Sequence, residues 1–171
     1  MSRMTSAHIA PQGGGFEPQR TNNFEIQLYG VPGQDLIVLS TASFAQAASK
    51  NQAITLGYLN DNTKVAGAAS HDDASLTVRD FVDAQTYASL MAWRKLVYDP
   101  DNGNIGFASS YKKQGHVILL APDGSVERKF KLVGVWPTEV KGGQLQMSEG
   151  GGGGVHMVTV NLSIDKIISE L

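Results

Sequence analysis

Polar and apolar positions alternate with a period of two along most of this chain, which is the pleat of half-buried β-strands. In Asn23–Tyr29, Phe24, Ile26 and Leu28 fall on one face and Glu25, Gln27 and Tyr29 on the other. Ala74–Asp80 places Leu76 and Val78 together. Val155–Asp165 alternates through Val158, Val160, Leu162 and Ile164. His116–Ala121 is an apolar run of strand length, and Val126–Val133 returns after Pro122-Asp123-Gly124-Ser125. Those four residues are turn chemistry, because proline presets φ and glycine accepts φ above zero. Gly134-Val135-Trp136-Pro137-Thr138 then interrupts the pattern. Pro137 has no N–H for a ladder, so the chain must leave the sheet there, lie at its edge or bulge. Trp136 is the largest apolar anchor nearby.

The remaining stretches are less regular. Leu36–Ser40 reads as a strand returning after the turn Gly30–Gly33, with Thr41–Gln46 continuing it. Residues 80–98 read as the one substantial helix, capped by Asp80 or Asp83 and ended by Pro100 and Gly103. Tyr87, Leu90, Met91 and Val97 gather on one side of it, while Trp93 and Leu96 spread away. Residues 47–73 offer two short strands, Gln52–Tyr58 and Thr63–Ala66, around a turn at Asn60-Asp61-Asn62. So little apolar content makes a hairpin marginal in water, so this stretch is either a mobile loop or covered by another surface. Gln144–Ser148 reads as a short strand and Gly150–Gly154 as a flexible tip. Residues 1–20, with Gly13-Gly14-Gly15 and two prolines, read as a flexible arm before one domain at 21–171. The sum is a mainly β protein with one flanking α-helix, an antiparallel β-sandwich or barrel-like fold.

Composition narrows the function. The 171 residues suffice for one sizeable core. Only 18% are charged and 19 are glycine, which suits a surface packed against copies of itself. A net charge of −2 provides no basic field for phosphate contacts. There are no cysteines, which excludes disulfides and thiolate metal sites. No apolar run reaches bilayer length and the first residues lack a signal core, so folding in a cytoplasm is the default expectation.

Catalytic chemistry finds little support. Asp99-Pro100-Asp101-Asn102-Gly103 begins like a calcium loop, but the sixth and twelfth positions are Asn104 and Ser110 in place of glycine and an acid. It reads as a helix-terminating turn. His71-Asp72-Asp73 is one local cluster, and His8, His116 and His156 are scattered. Neither glycine run precedes a Lys-Ser/Thr pair opening a helix, and no Gly-x-Ser-x-Gly elbow occurs. No catalytic residue, metal or cofactor is expected. An enzyme or small-ligand β-barrel is supported by fold class alone.

One resemblance gathers these features. Leu132-Val133 with Gly134-Val135-Trp136-Pro137-Thr138, Tyr111-Lys112-Lys113, Val65-Ala66-Gly67 followed by Asp72-Asp73 and Leu76-Thr77-Val78, and the strand Val155–Asp165 resemble the tail tube proteins of contractile-tailed bacteriophages. The likeness covers most of Phe24–Asp165, and the five-glycine tip and Gly-rich arm depart from it. The resemblance implies a structural subunit whose sheets join in a hexameric ring. Rings stack into a hollow tube inside a contractile sheath, and DNA passes down it without specific binding. It further implies a tail sheath protein, baseplate tube-initiator and tail terminator proteins as partners, and a tape measure protein in the lumen. The expected location is the virion tail, after assembly in the host bacterial cytoplasm. An alternative is the tube of a tailocin or a type VI-like injection system.

Ring and tube assign roles to particular residues. Ile54, Leu56, Tyr58 and Val65 of the 47–73 hairpin are candidates to contact the adjacent ring. Glu25, Gln27, Glu139 and Asp165 are candidates to face a bore that must not hold DNA. Trp136, Pro137 and Trp93 are candidate structural anchors.

Overall fold

In the computed structural model, residues 18–83, 85–145 and 154–170 are described. Most of the N-terminal arm, the end of the expected strand Gln144–Ser148 and nearly all of the glycine tip lie outside them. Gln144 and Leu145 themselves are not in a strand.

Each strongly alternating segment forms a strand and buries the expected face. They are β1 (Phe24–Tyr29), β5 (Ala74–Arg79), β8 (Lys113–Leu120), β9 (Val126–Gly142) and β10 (Met157–Ser163). Ile26 and Leu28, then Ala74, Leu76 and Val78, and Val158, Val160, Leu162 and Ile164 are buried in one core. Short β2 (Thr41–Ala45) and β11 (Lys166–Ser169) complete an antiparallel path, β1-β8-β9-β10-β5-β2, with β11 also on β9. β3 (Ser49–Tyr58) and β4 (Asp61–His71) form a separate two-stranded sheet, as do β6 (Tyr98–Asp99) and β7 (Asn104–Ile105).

β9 turns this path into a barrel-like enclosure. Its first part pairs β8 and β11, and its last part pairs β10. The pairing skips Gly134 against β8 and Thr138 against β10. Each skipped residue is a bulge, and bulges bend a strand and increase its twist. Of the three outcomes that Pro137 permits, the chain therefore adopts the bulge. Gly134 has φ of +71°, and any Cβ there would strike the Asp165 carboxylate.

Three helices are present among the described residues, where the pattern suggests one. α1 (Gln34–Ser40) replaces the expected strand at Leu36–Ser40. Its inward residues, Ile37 and Ser40, recur at helical spacing. The β-branched Ile37 and Val38 favour a strand locally, but burial of Ile37 against the core decides the outcome. α2 (Thr86–Val97) starts later than expected, after Gln85 in a left-handed conformation. Asp80 still caps its first turn, accepting a hydrogen bond from the Tyr87 N–H at 3.1 Å. The buried stripe is Thr86, Leu90, Trp93 and Val97, with Tyr87, Met91 and Leu96 left exposed. Trp93 thus lies at the centre of the stripe, packed toward β9. α3 (Ala108–Tyr111) lies beside α2, and the Trp93 indole N–H donates to the Tyr111 carbonyl at 3.0 Å.

The three anchors differ. Trp93 and Pro137 are fully buried. Trp136 is half-buried and packs edge-on against Tyr111, with ring centroids 5.6 Å apart. Trp93→Ala is expected to cost about 3–5 kcal/mol, from lost burial and the cavity left behind. Trp136→Ala is expected to cost less. Denaturant unfolding of both variants measures the difference.

Candidate functional site

The sites of interest are surfaces, and the most exposed of them is the β3–β4 hairpin. Of its 10 and 11 strand residues, all are exposed except Gly67 and His71. Neither strand pairs with the main sheet. The strands are longer than the alternation suggests, and the turn is at Leu59-Asn60, one step before the expected Asn60-Asp61-Asn62. Leu59 adopts φ of +51° and is fully exposed at the tip. A leucine in that region is strained and offers an apolar side chain to solvent.

The structure brings all four hairpin candidates together. Ile54, Leu56 and Tyr58 alternate along β3, and Val65 lies opposite Ile54 on β4. They share one face, and each is at least 40% exposed. The arrangement is an apolar stripe without a cover in its own chain, among the described residues. At the root, Lys50 pairs with Asp72 at 2.6 Å, so part of the His71-Asp72-Asp73 cluster serves the hairpin's base.

The four bore candidates are spread over three places. Glu25 and Gln27 share the outward face of β1, where the Gln27 amide donates to Glu25 at 2.8 Å. Tyr29 donates its hydroxyl proton to Gln27 at 2.8 Å and lies 3.1 Å from His116 Nδ1. Glu139 lies on the outward face of β9 and β10, accepts from the Asn161 amide at 3.1 Å and pairs with Lys141 at 2.9 Å. Thr77 and Thr159 are joined across β5 and β10 on that same face, at 3.3 Å. Asp165 sits between β10 and β11 and pairs with Lys112 at 2.7 Å. Its backbone N–H donates to Val133 beside the Gly134 bulge, so Asp165 braces the bend in β9.

A groove of about 440 Å³ runs between α1 and β1. Nothing in the sequence pattern marks it, because α1 itself was legible only as a strand. Val38 and Leu39 line it with Glu25, Gln27, Tyr29 and Asp35. The two end strands of the sheet path, β1 and β2, each keep one border without a strand partner among the described residues.

The acidic loop after α2 shows how its carboxylates are used. The Asp99–Asn104 loop is occupied by a lysine: Lys95 Nζ lies 2.7 Å from Asp101 and 3.4 Å from Asp99. The Asp101 hydrogen bond, with the charge beside it, holds the Lys95 ammonium above its ordinary pKa. No group of three or more His, Cys, Asp or Glu side chains is placed to hold a metal ion among the described residues. No described helix is long and apolar enough to cross a membrane.

Glu170 carries a perturbed titration at the end of the β11 border. The Lys129 ammonium, 3.2 Å away, holds its carboxyl below the usual range by hydrogen bond and charge. His116 Nε2 lies 3.5 Å from the same carboxylate. With the folded value depressed, this pair's contribution is present above the ordinary carboxylate pKa and is lost as pH falls through the folded one. Lys129→Met is expected to move the Glu170 titration midpoint back up, as followed by carboxyl NMR.

Comparison with known proteins agrees with this geometry. No protein-family model matches the chain. It is 26% identical over 148 residues to the tail tube protein gp19 of Enterobacteria phage T4, covering 85% of this chain and 88% of that protein. In fold, it superposes on a chain of the sheath–tube complex of an extracellular contractile injection system with a TM-score of 0.69. That match has 12% identity and covers 98% of this chain and 99% of the other. The tube-terminating cap of the anti-feeding prophage gives the same TM-score at 14% identity, over 91% and 92% of the two chains. In sequence the chain is thus similar to a contractile-phage tail tube protein, and its fold is the one found in the tube assemblies of contractile injection systems.

Proposed function

We propose that this chain is the structural subunit of a bacteriophage tail tube, with hexameric rings stacked into a hollow conduit that penetrates the host envelope and passes viral DNA. The observation that carries this reading is the projecting hairpin, whose apolar face has no cover among the described residues. The borders of β1 and β2, without strand partners among the described residues, support it. Free sheet edges invite pairing with other chains, and closure into a ring removes that liability. The subunit acts as a wall and not as a catalyst. Sheath, baseplate tube-initiator and terminator proteins would meet the tube from outside and at its ends, and a tape measure protein would occupy it during assembly in the host cytoplasm.

The bore belongs, in this reading, to the outward face of β9, β10, β5 and β2. It presents Ser75, Thr77, Thr159 and Asn161, and its charges at Glu139 and Lys141 pair with each other. A face made mostly of hydroxyl and amide groups, with Arg79 the cation outside that pair, gives phosphates little to hold, which suits a polyanion that must slide. Of the four acidic and amide candidates, we retain Glu139 for the bore. Glu25, Gln27 and Asp165 lie on other surfaces.

A second reading is favoured by the solved structures of similar fold, which come from extracellular injection particles. The chain would then form the tube of a device that carries no genome. Portal and terminase genes beside this one would decide for the phage.

Negative-stain microscopy of the purified chain is expected to show rings or tubes; compact monomers at every concentration would overturn the proposal. Deleting Gln52–Ala69 is expected to leave folded protomers, seen by circular dichroism, that no longer polymerise. Normal tubes from that deletion would exclude the hairpin from stacking.

A further inference from the structure

The turn after α2 holds the chain's single Asn-Gly pair, Asn102-Gly103. It joins β6 to β7, where Asp99 lies opposite Asn104. Asn102 and Gly103 are both exposed. Gly103 has φ of +69°, and a Cβ placed there would meet no atom within 4 Å. With no side chain on Gly103 and open space around it, its backbone nitrogen has unobstructed access to the preceding side-chain amide. That is the arrangement that spontaneous deamidation requires.

The reaction needs only water. The Gly103 nitrogen attacks the Asn102 side-chain carbonyl carbon and gives up its proton through solvent. The bond from that carbon to the side-chain nitrogen breaks, and the nitrogen takes up the proton and leaves as ammonia. Water then opens the five-membered imide at either of its carbonyls, leaving aspartate or isoaspartate. Nothing is oxidised or reduced.

Asp99 holds both reacting groups. The Gly103 N–H donates to the Asp99 backbone carbonyl at 2.8 Å, a bond that must break before the nitrogen can turn toward the side chain. The Asn102 amide donates to the Asp99 carboxylate at 2.9 Å, which fixes the other reactant. The same carboxylate accepts the Asp101 N–H at 3.1 Å and lies 3.4 Å from Lys95 Nζ. Its negative charge also disfavours the amide anion through which attack proceeds. Asn104 is a poorer site, because the β-branched Ile105 that follows it crowds the attacking nitrogen. At Asp123-Gly124, the Ser125 hydroxyl, with the Ser125 N–H, holds the Asp123 carboxyl below its usual range, and an ionised carboxylate resists attack.

We propose that Asn102 is a spontaneous deamidation site of this protein and that Asp99 is the positioning residue that restrains it. Conversion would put a third carboxylate beside Asp99 and Asp101, where Lys95 already serves two. Isoaspartate would also add a methylene to the backbone of the turn, which breaks the match of Asp99 with Asn104 and of Tyr98 with Ile105. The exposed Tyr98, Ile105 and Phe107 beside the turn would shift with it.

The test ages the purified chain in mildly alkaline buffer, digests it and locates acid formed from amide by mass spectrometry, with isoaspartyl methyltransferase labelling to detect isoaspartate. The expected products are aspartate and isoaspartate at position 102. They are expected to form about tenfold more slowly in the folded chain than in the same chain kept in guanidinium, the effect of one retained hydrogen bond on a barrier. Asp99→Ala, with its fold checked by circular dichroism, is expected to lose most of that difference. Should Asp99→Ala fail to fold, Asp99→Asn, which keeps an acceptor oxygen and loses the charge, is read in its place and is expected to deamidate faster than the parent. Conversion of other asparagines with Asn102 intact would overturn the site. Equal rates in folded and denatured chains, or folded Asp99 variants that deamidate no faster than the parent, would overturn the restraint.

Discussion

Strand β9 has to serve two sheets, and a regular strand cannot do that without bending. Its solution is a pair of bulges at Gly134 and Thr138, one on either side of Trp136-Pro137. Between them Pro137 needs no ladder donor and is buried, so the residue least suited to a sheet occupies the place where pairing changes hands. The bend brings Val158, Val160 and Leu162 of β10 over Ile26, Leu28 and Val117 of β1 and β8, and α2 seals the enclosure with Trp93. Gly134 is required on two counts: its backbone is left-handed, and the Asp165 carboxylate occupies the space that a Cβ would need. Asp165 in turn ties the bend to Lys112 ahead of β8. β9 thus joins the strands that meet in the core.

The same bend leaves the enclosure unfinished. The path starts at β1 and stops at β2, and each keeps a free border among the described residues. The hairpin adds an apolar face that the described residues do not cover. A protein that stays alone usually blunts such features with charge, proline or short strands. This chain instead spends 21 strand residues, 10 in β3 and 11 in β4, on a projection that buries almost nothing of itself. The free energy of that segment has to be recovered by contact with something else, which in the proposed tube is a second copy.

Electrostatics plays a positioning role in this molecule. The described ion pairs lie at or near the surface, where each contributes little to stability. What they do is hold geometry: Lys95 fills the acidic turn after α2, Lys50 and Asp72 brace the hairpin root, and Glu139 with Lys141 cancels charge on the face assigned to the bore.

The sequence by itself determined the strands that bury one face, because a period of two survives in any context where one side meets a core. It also determined the turn at Gly124, the interruption at Pro137 and the alternation of Ile54, Leu56 and Tyr58, whereas Val65 joins their face only through the register set by the turn at Leu59-Asn60. Shorter or less periodic elements were decided elsewhere. Leu36–Ser40 has strand-like residues, yet it is helical because Ile37 and Ser40 meet the core only at helical spacing. Trp93 moved from the margin of α2 to its centre because the helix rotates to fill the space beneath β9. Glu25 and Glu139 look alike along the chain and sit on different surfaces, because the bulges in β9 separate the sheets that carry them. Alternation is local and can be read one strand at a time. The groove and the free borders exist only once distant strands have chosen their partners, and that choice depends on the whole core at once.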